Sequence, residues 1–218
     1  MKNIKIAIDS PAASGAGTQA KLISKHYNLL YLDTGKFYRI LGKLYLSNKK
    51  KINFNLFKKK IYKTTIKDLS DKKLLNNKIG SSAAFLAKKK IIRNMVSKKQ
   101  IEIANNPPKN FNGCCLDGRD ITYKIMPNAN VKFFMTANIQ VRSLRRYQEL
   151  KKLGYRISIR EVYRSIKERD KNDYTRKISP LKKVKDAILI NNSKLTIKQC
   201  FKKMKKIIDK KLKNNATN

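Results

Sequence analysis

A chain of 218 residues, 41% of them hydrophobic, is long enough to close one sizeable α/β core and leaves room for a small insertion or lid. Its 53 Lys+Arg stand against 14 Asp+Glu for a formal charge of +39, and it lacks any run of about 18 uncharged apolar residues, which argues against a membrane span. Cys114, Cys115 and Cys200 form no CxxC pair and no even set, so neither a disulfide framework nor a zinc site is expected, and they read as buried thiols.

The elements follow in chain order. Asn3 to Asp9 reads as a strand rather than a signal peptide, so a soluble cytoplasmic protein is expected. A Gly-containing turn leads to a helix over Thr18 to Tyr27, a second strand over Leu29 to Asp33 and a helix from Thr34 onward, the opening of a parallel sheet with crossover helices. Residues 47 to 80 are rich in Lys and Asn with short β-branched runs such as Ile61 to Ile66, and read as an irregular, partly exposed insertion. One long helix is expected from Ser82 to Asn106, closed by Pro107-Pro108. Strands return at Cys114 to Asp117 and Val131 to Thr136, helices at Ile139 to Lys152 and Ser158 to Asp173, then a strand at Ala187 to Ile190 and an amphipathic helix over Thr196 to Leu212.

The charge divides unevenly by residue type. Of the 53 basic residues 42 are Lys, strewn through every segment, and only 11 are Arg. The lysines read as compositional bias, whereas nine of the arginines fall between Arg119 and Arg176, where a planar fork suits bidentate grips on phosphate.

Between the first strand and the first helix stands Ser10-Pro11-Ala12-Ala13-Ser14-Gly15-Ala16-Gly17-Thr18, the position and spacing of a phosphate-binding P-loop. Ser10 replaces the first glycine of G-x-x-x-x-G-K and Ala16 replaces the lysine, while Gly15, Gly17 and Thr18 keep an anion nest and a hydroxyl for Mg²⁺. Three further segments follow in order: Leu32-Asp33-Thr34-Gly35-Lys36-Phe37-Tyr38-Arg39; Asp117-Gly118-Arg119-Asp120-Ile121; and Arg169-Asp170-Lys171-Asn172-Asp173-Tyr174-Thr175-Arg176 with Pro180-Leu181 after it. From about residue 3 to 208 the chain resembles the bacterial cytidylate kinase family of P-loop nucleoside monophosphate kinases. Arg142 to Arg146 and Leu195-Thr196-Ile197 sit in register with it.

The resemblance implies an α/β P-loop fold with a parallel sheet flanked by helices: a core of residues 1–37, 108–152 and 181–212, an acceptor-binding insertion at about 38–107 and a lid at about 153–180. It implies transfer of a phosphoryl group from ATP, with Mg²⁺, to CMP or dCMP. Ser10 to Thr18 would hold the ATP phosphates, with Thr18 on the metal. Thr34 and Arg39 would hold the acceptor, joined by Arg119, Arg169, Asp173 and Arg176. Arg119, Arg169 and Arg176 would also neutralise charge at the transferred group, and Asp33 would order waters around Mg²⁺. A carboxylate at Asp173 suits the exocyclic amine of cytosine. On the residues alone, Asp33 equally suits a helix cap and Asp173 a partner for Arg169 or Arg176. A monomer without membrane attachment is implied.

Five changes depart from the family pattern: Ser10, Ala16, Ala84 where a serine is common, Asn172 where a lid arginine is usual, and the pair Thr122-Tyr123 in place of Gly-Thr. Ala16 weighs most, and a slow or inactive enzyme is a live alternative. Lys36, and after it Lys21, are the candidates to restore the charge, or else solvated surface lysines. The rival from another class is a nucleotide- or RNA-binding protein on a retired kinase scaffold, but no interleaved basic and aromatic platform supports it.

Overall fold

The computed structural model describes residues 3–214. Five strands, β1 (Ile4–Asp9), β2 (Leu30–Asp33), β3 (Gly113–Gly118), β4 (Val131–Thr136) and β5 (Ile188–Asn191), form one sheet in the order β2-β3-β1-β4-β5. β1 pairs in parallel with β3 and β4, and β4 in parallel with β5. This central placement explains why β1 is an almost continuous apolar run: a strand covered on both faces cannot alternate. Helix α1 (Ala16–Tyr27) supplies Ala16, Ala20 and Ile23 to one covering layer, and α8 (Ile197–Asn214) supplies Cys200, Met204, Ile208 and Leu212 at four-residue spacing. They close over Ile6, Ile8, Phe133, Met135 and Ile190 of the sheet. All three cysteines are buried thiols, and burial pushes Cys114 up to about 11 and Cys115 and Cys200 above their ordinary range.

The chain divides into two compact units, one running to Tyr31 and from Pro108 onward, the other spanning Leu32–Pro107. The second is helical: α2 (Gly35–Ser47), α3 (Phe54–Lys63), α4 (Asn77–Leu86) and α5 (Lys90–Asn105), with two short 3₁₀ turns between α3 and α4. The irregular insertion expected over residues 47 to 80 is therefore mainly ordered helix and turn. The asparagines that suggested loop are caps: Asn53 Oδ1 accepts from Leu56 N at 3.0 Å, and Asn76 Oδ1 accepts from Lys78 N at 2.8 Å. The single helix expected from Ser82 to Asn106 is two. It breaks at Ala87–Lys89, where Lys89 is extended and Arg93 Nε donates to the carbonyl of Ala87 at 3.1 Å, satisfying a group that a continuous helix would pair internally. Between α2 and α4 the backbones touch at Gly42, where a Cβ would stand 2.7 Å from the carbonyl oxygen of Ile79.

After α6 (Ile139–Lys152), helix α7 (Ile159–Thr175) opens with a capping box in which Ser158 Oγ accepts from Glu161 N at 3.2 Å and the Glu161 carboxylate reaches back to Ser158 N at 2.7 Å. Among the described residues no helix is long and apolar enough to cross a membrane.

Gly113, at φ 146°, opens β3 where a Cβ would collide with the Ile4 backbone of the neighbouring central strand. Gly113→Ala should lower the unfolding free energy by roughly 3 kcal/mol, combining a disfavoured backbone angle with a clash that only backbone movement relieves. Denaturant melts of variant and parent read this directly, and a change of a few tenths would refute it.

Candidate active site

The turn Ser10–Gly15 joins β1 to α1 and reverses through left-handed residues at Ala13 (φ 57°) and Gly15 (φ 88°). Its backbone is held from several directions. Ser10 N donates to Gly118 O at 3.1 Å. Ala12 N donates to Asp170 Oδ1 at 3.2 Å, and Ala12 O accepts from Arg142 Nη1 at 3.0 Å. Ser14 O accepts from Asn192 Nδ2 at 2.8 Å, beside Arg145, whose guanidinium holds both the side chain and the backbone carbonyl of Asn192. Gly17 must stay small, because a Cβ there would meet the Tyr31 hydroxyl at 3.2 Å and the Asp117 carboxylate at 3.5 Å. Ser14 Oγ is buried with no hydrogen-bond partner among the described residues, and Thr18 is exposed in the first turn of α1. A buried hydroxyl without a partner, a helix N-terminus and a turn of this shape together suit a bound anion. Ala16 is 4% exposed and its methyl belongs to the sheet core, so no charge sits at that position. Lys21 is exposed, its ammonium 5.8 Å from the Tyr31 ring centre.

A second cluster forms where α7 ends. Asp173 binds two guanidinium groups at once: Arg119 Nε donates to Oδ2 at 2.7 Å and Arg176 Nη1 to Oδ1 at 2.8 Å. Burial alone would raise the Asp173 pKa, but Arg119, Arg169 and Arg176 outweigh it and hold the carboxyl below its usual range. Burial opposes the charge on Arg119 in turn, and Asp173 more than restores it. Arg169 is exposed on α7 and acts on Asp173 through its charge. Arg176 Nε also donates to Ser179 O at 2.6 Å, while Tyr123 Oη donates to Pro180 O at 2.6 Å, which anchors the segment after α7.

Asp9 belongs to none of the motifs that carry the family resemblance. This buried carboxylate accepts from Ile121 N at 2.8 Å, Thr122 N at 2.9 Å and Thr122 Oγ1 at 2.6 Å, and so holds a π-helical turn, Ile121–Ile125, directly after Arg119-Asp120. Thr122, one of the departures from the family pattern, thus supplies two of the three hydrogen bonds, one from its backbone and one from its hydroxyl. Burial raises the Asp9 pKa to about 6 even though these bonds pull it down. Asp170, Arg142 and Arg145 are also unassigned in the sequence reading; the visible signal for the first was a carboxylate three residues before Asp173.

The remaining predicted residues lie in the helical unit. Asp33 Oδ1 accepts from Gly35 N at 3.1 Å and caps α2. Thr34 is buried, with its carbonyl accepting from Gln100 Nε2 at 3.2 Å. Arg39 Nη1 donates to Leu74 O at 2.7 Å, and its guanidinium lies over Gly80, where a Cβ would come within 3.2 Å. Arg93 is buried, its guanidinium carbon 5.5 Å from the Tyr38 ring centre. Lys36 is half-buried on α2.

Comparison with known proteins agrees on one family. The family model described as cytidylate kinase matches residues 6–210. A protein named cytidylate kinase from Thermosipho melanesiensis is 37% identical, with 96% of this chain and 98% of that protein covered. Others of that name, from Bartonella henselae at 40% (92% of each chain) and Fusobacterium nucleatum at 39% (96% and 99%), are similarly close. A solved structure of an uncharacterized protein from Eubacterium ventriosum is 16% identical with a TM-score of 0.54 over 95% of this chain and 99% of that one, a likeness of fold alone.

The raised Asp9 pKa carries a definite sign. In the unfolded chain the group ionises near 3.8 and in the folded chain near 6, so between those values the folded state holds the extra proton and stability falls as pH rises. Complete at neutral pH, that loss is about 3 kcal/mol. Asp9→Asn carries no titrating group, so its stability relative to the parent should improve by about that amount between about pH 4 and pH 7, beneath any constant offset from altered hydrogen bonds. Parallel stability curves for the two proteins would count against the assignment.

Proposed function

Because the chain belongs to the cytidylate kinase family, we propose that it transfers the γ-phosphoryl group of ATP to CMP or dCMP, giving ADP and CDP or dCDP. The observation that carries the reading is the anion-shaped turn Ser10–Gly15, with the buried Ser14 hydroxyl, in the same unit as the Arg119–Asp173–Arg176 cluster. A phosphate oxygen of the acceptor attacks the γ-phosphorus in line, the bond to the β–γ bridging oxygen breaks, and ADP leaves. Catalysis of this kind is positioning plus neutralisation of charge.

Backbone amides of Ser10 to Thr18 and the N-terminus of α1 hold the donor phosphates. Arg119, Arg169 and Arg176 meet the charge that spreads over the transferring group. Thr34 and Arg39 bind the acceptor and its phosphate from the helical unit. Asp173, ionised at neutral pH, keeps lone pairs beyond those engaged by its two arginines and accepts a hydrogen bond from the cytosine amine, which uracil lacks.

The oxygens near the turn suit Mg²⁺: the Thr18 hydroxyl and the Asp117 carboxylate are hard donors. Thr18 would hold it, with Asp117 and Asp33 orienting its waters. When bound, the ion would supply positive charge that offsets the charge of the donor phosphates. The protein acts as a soluble monomer in the cytoplasm.

A coupled ADP-release assay with ATP and Mg²⁺ should show turnover on CMP and dCMP and little on UMP or AMP. Activity on none of the four would overturn the reading. Restoring the ammonium with Ala16→Lys should raise kcat by on the order of 10² to 10³, the usual loss for one charged donor at a transition state. If instead Ala16→Lys changes nothing and Lys36→Ala abolishes turnover, Lys36 supplies the missing charge.

A further inference from the structure

Arg142 and Asp170 have no part in the chemistry above, yet they form a buried ion pair, Nη1 to Oδ2 at 2.6 Å, with side chains only 8% and 12% exposed. A buried pair of this kind is weak evidence of a stabilising role, since well-packed apolar residues in its place commonly do as well. Its remaining contacts converge on one residue of the phosphate turn. Asp170 Oδ1 accepts from Ala12 N at 3.2 Å and Arg142 Nη1 donates to Ala12 O at 3.0 Å, so both polar groups of a single residue are engaged by the two halves of one ion pair. Arg142 is itself fixed, with Nε donating to Ala137 O at 2.8 Å.

We propose that the Arg142–Asp170 pair is a positioning device that holds the phosphate turn in its donor-binding shape before ATP arrives. The proposal rests on the kinase reading. A P-loop lysine binds phosphate through a mobile ammonium that follows its target; with Ala16 in that place, donor affinity falls to backbone amides whose directions are set by the turn alone. A turn ordered only on binding would charge its ordering entropy against ATP affinity, and clamping it beforehand removes that cost. The clamp also ties the turn to α6 through Arg142 and to α7 through Asp170. Asp170 lies one helical turn before Asp173, so one rigid helix carries both the hold on the turn and the carboxylate that gathers Arg119 and Arg176.

The test compares ATP and CMP affinity by titration calorimetry of the full chain with Mg²⁺. Asp170→Asn removes the charge. The double variant Arg142→Met with Asp170→Leu removes the pair without leaving a lone buried charge, which protects folding. In variants whose melts show a folded protein, ATP affinity should drop by about tenfold or more while CMP affinity stays within about twofold, and Asp170→Glu should recover part of the loss. A purely structural pair would weaken both ligands together or neither, and either result overturns the proposal. In the unaltered chain, amide exchange at Ala12 should be slow with or without ATP; fast exchange that slows only on ATP binding also overturns it. A parent chain that binds no ATP removes the kinase reading and this proposal with it, whereas an ATP-binding parent with indifferent variants removes the proposal alone.

Discussion

Much of this structure converges on the shape of one turn, Ser10–Gly15. The usual ammonium is replaced by the methyl of Ala16, which belongs to the hydrophobic core. What faces an anion is then a set of backbone amides and a helix N-terminus, worth about half an elementary charge and effective only at close range. Such a site tolerates little play, and the surroundings reflect that. Gly118 holds the turn at its start, Arg142 and Asp170 at its middle, and Asn192 with Arg145 at its end. These contacts come from β3, α6, α7 and the loop after β5, elements that only the assembled sheet brings together. The shape of this turn is therefore a consequence of tertiary structure more than of its own sequence.

The scarcity of carboxylates makes their placement informative. With 14 acids among 53 bases, attraction to some lysine is available to every acid everywhere, so proximity to a base explains little. Three of the aspartates are instead committed to enclosed positions that organise backbone or arginine: Asp9 on the turn after Arg119-Asp120, Asp170 on Ala12, and Asp173 between two guanidinium groups. Several of the exposed acids pair with lysine, as Asp71 does with Lys43 and Asp186 with Lys132, where water and salt reduce the interaction to little. Arginine follows the same division. Arg119, Arg142 and Arg176 make directed bonds that an ammonium could not reproduce in number or geometry.

How much of this was legible depended on whether the signal was local. The sheet and its covering helices followed from runs such as Ile4–Asp9 and from the four-residue spacing of Cys200, Met204, Ile208 and Leu212, because those patterns are periodic within one element. The helices between residues 54 and 86 were hidden by Lys and Asn, although Asn53 and Asn76 were capping residues in plain view; a short helix whose buried face is little more than Phe57 and Ile61 gives too few periods to recognise. The break at Ala87–Lys89 depends on a bond from Arg93 that no window of sequence displays. In the site, Arg119, Asp173 and Arg176 could be grouped from their motifs, and they do meet. The clamp on Ala12 could not, since its members lie 130 and 158 positions away along the chain and nothing in their neighbours distinguishes them from other charged helix residues.

The three thiols have a consequence of a different kind. Each is enclosed and held in its protonated form by burial, and the thiolate is the species that alkylating and oxidising agents attack. Cys114 and Cys115 lie side by side in β3, against the strand that leads into the turn Ser10–Gly15, and Cys200 lies on the buried face of α8. Thiol chemistry in this protein is thus gated by opening of the core that encloses them. The rate at which a maleimide labels the intact chain becomes a clock for the excursions in which that shared core opens, read from β3 on one side and α8 on the other.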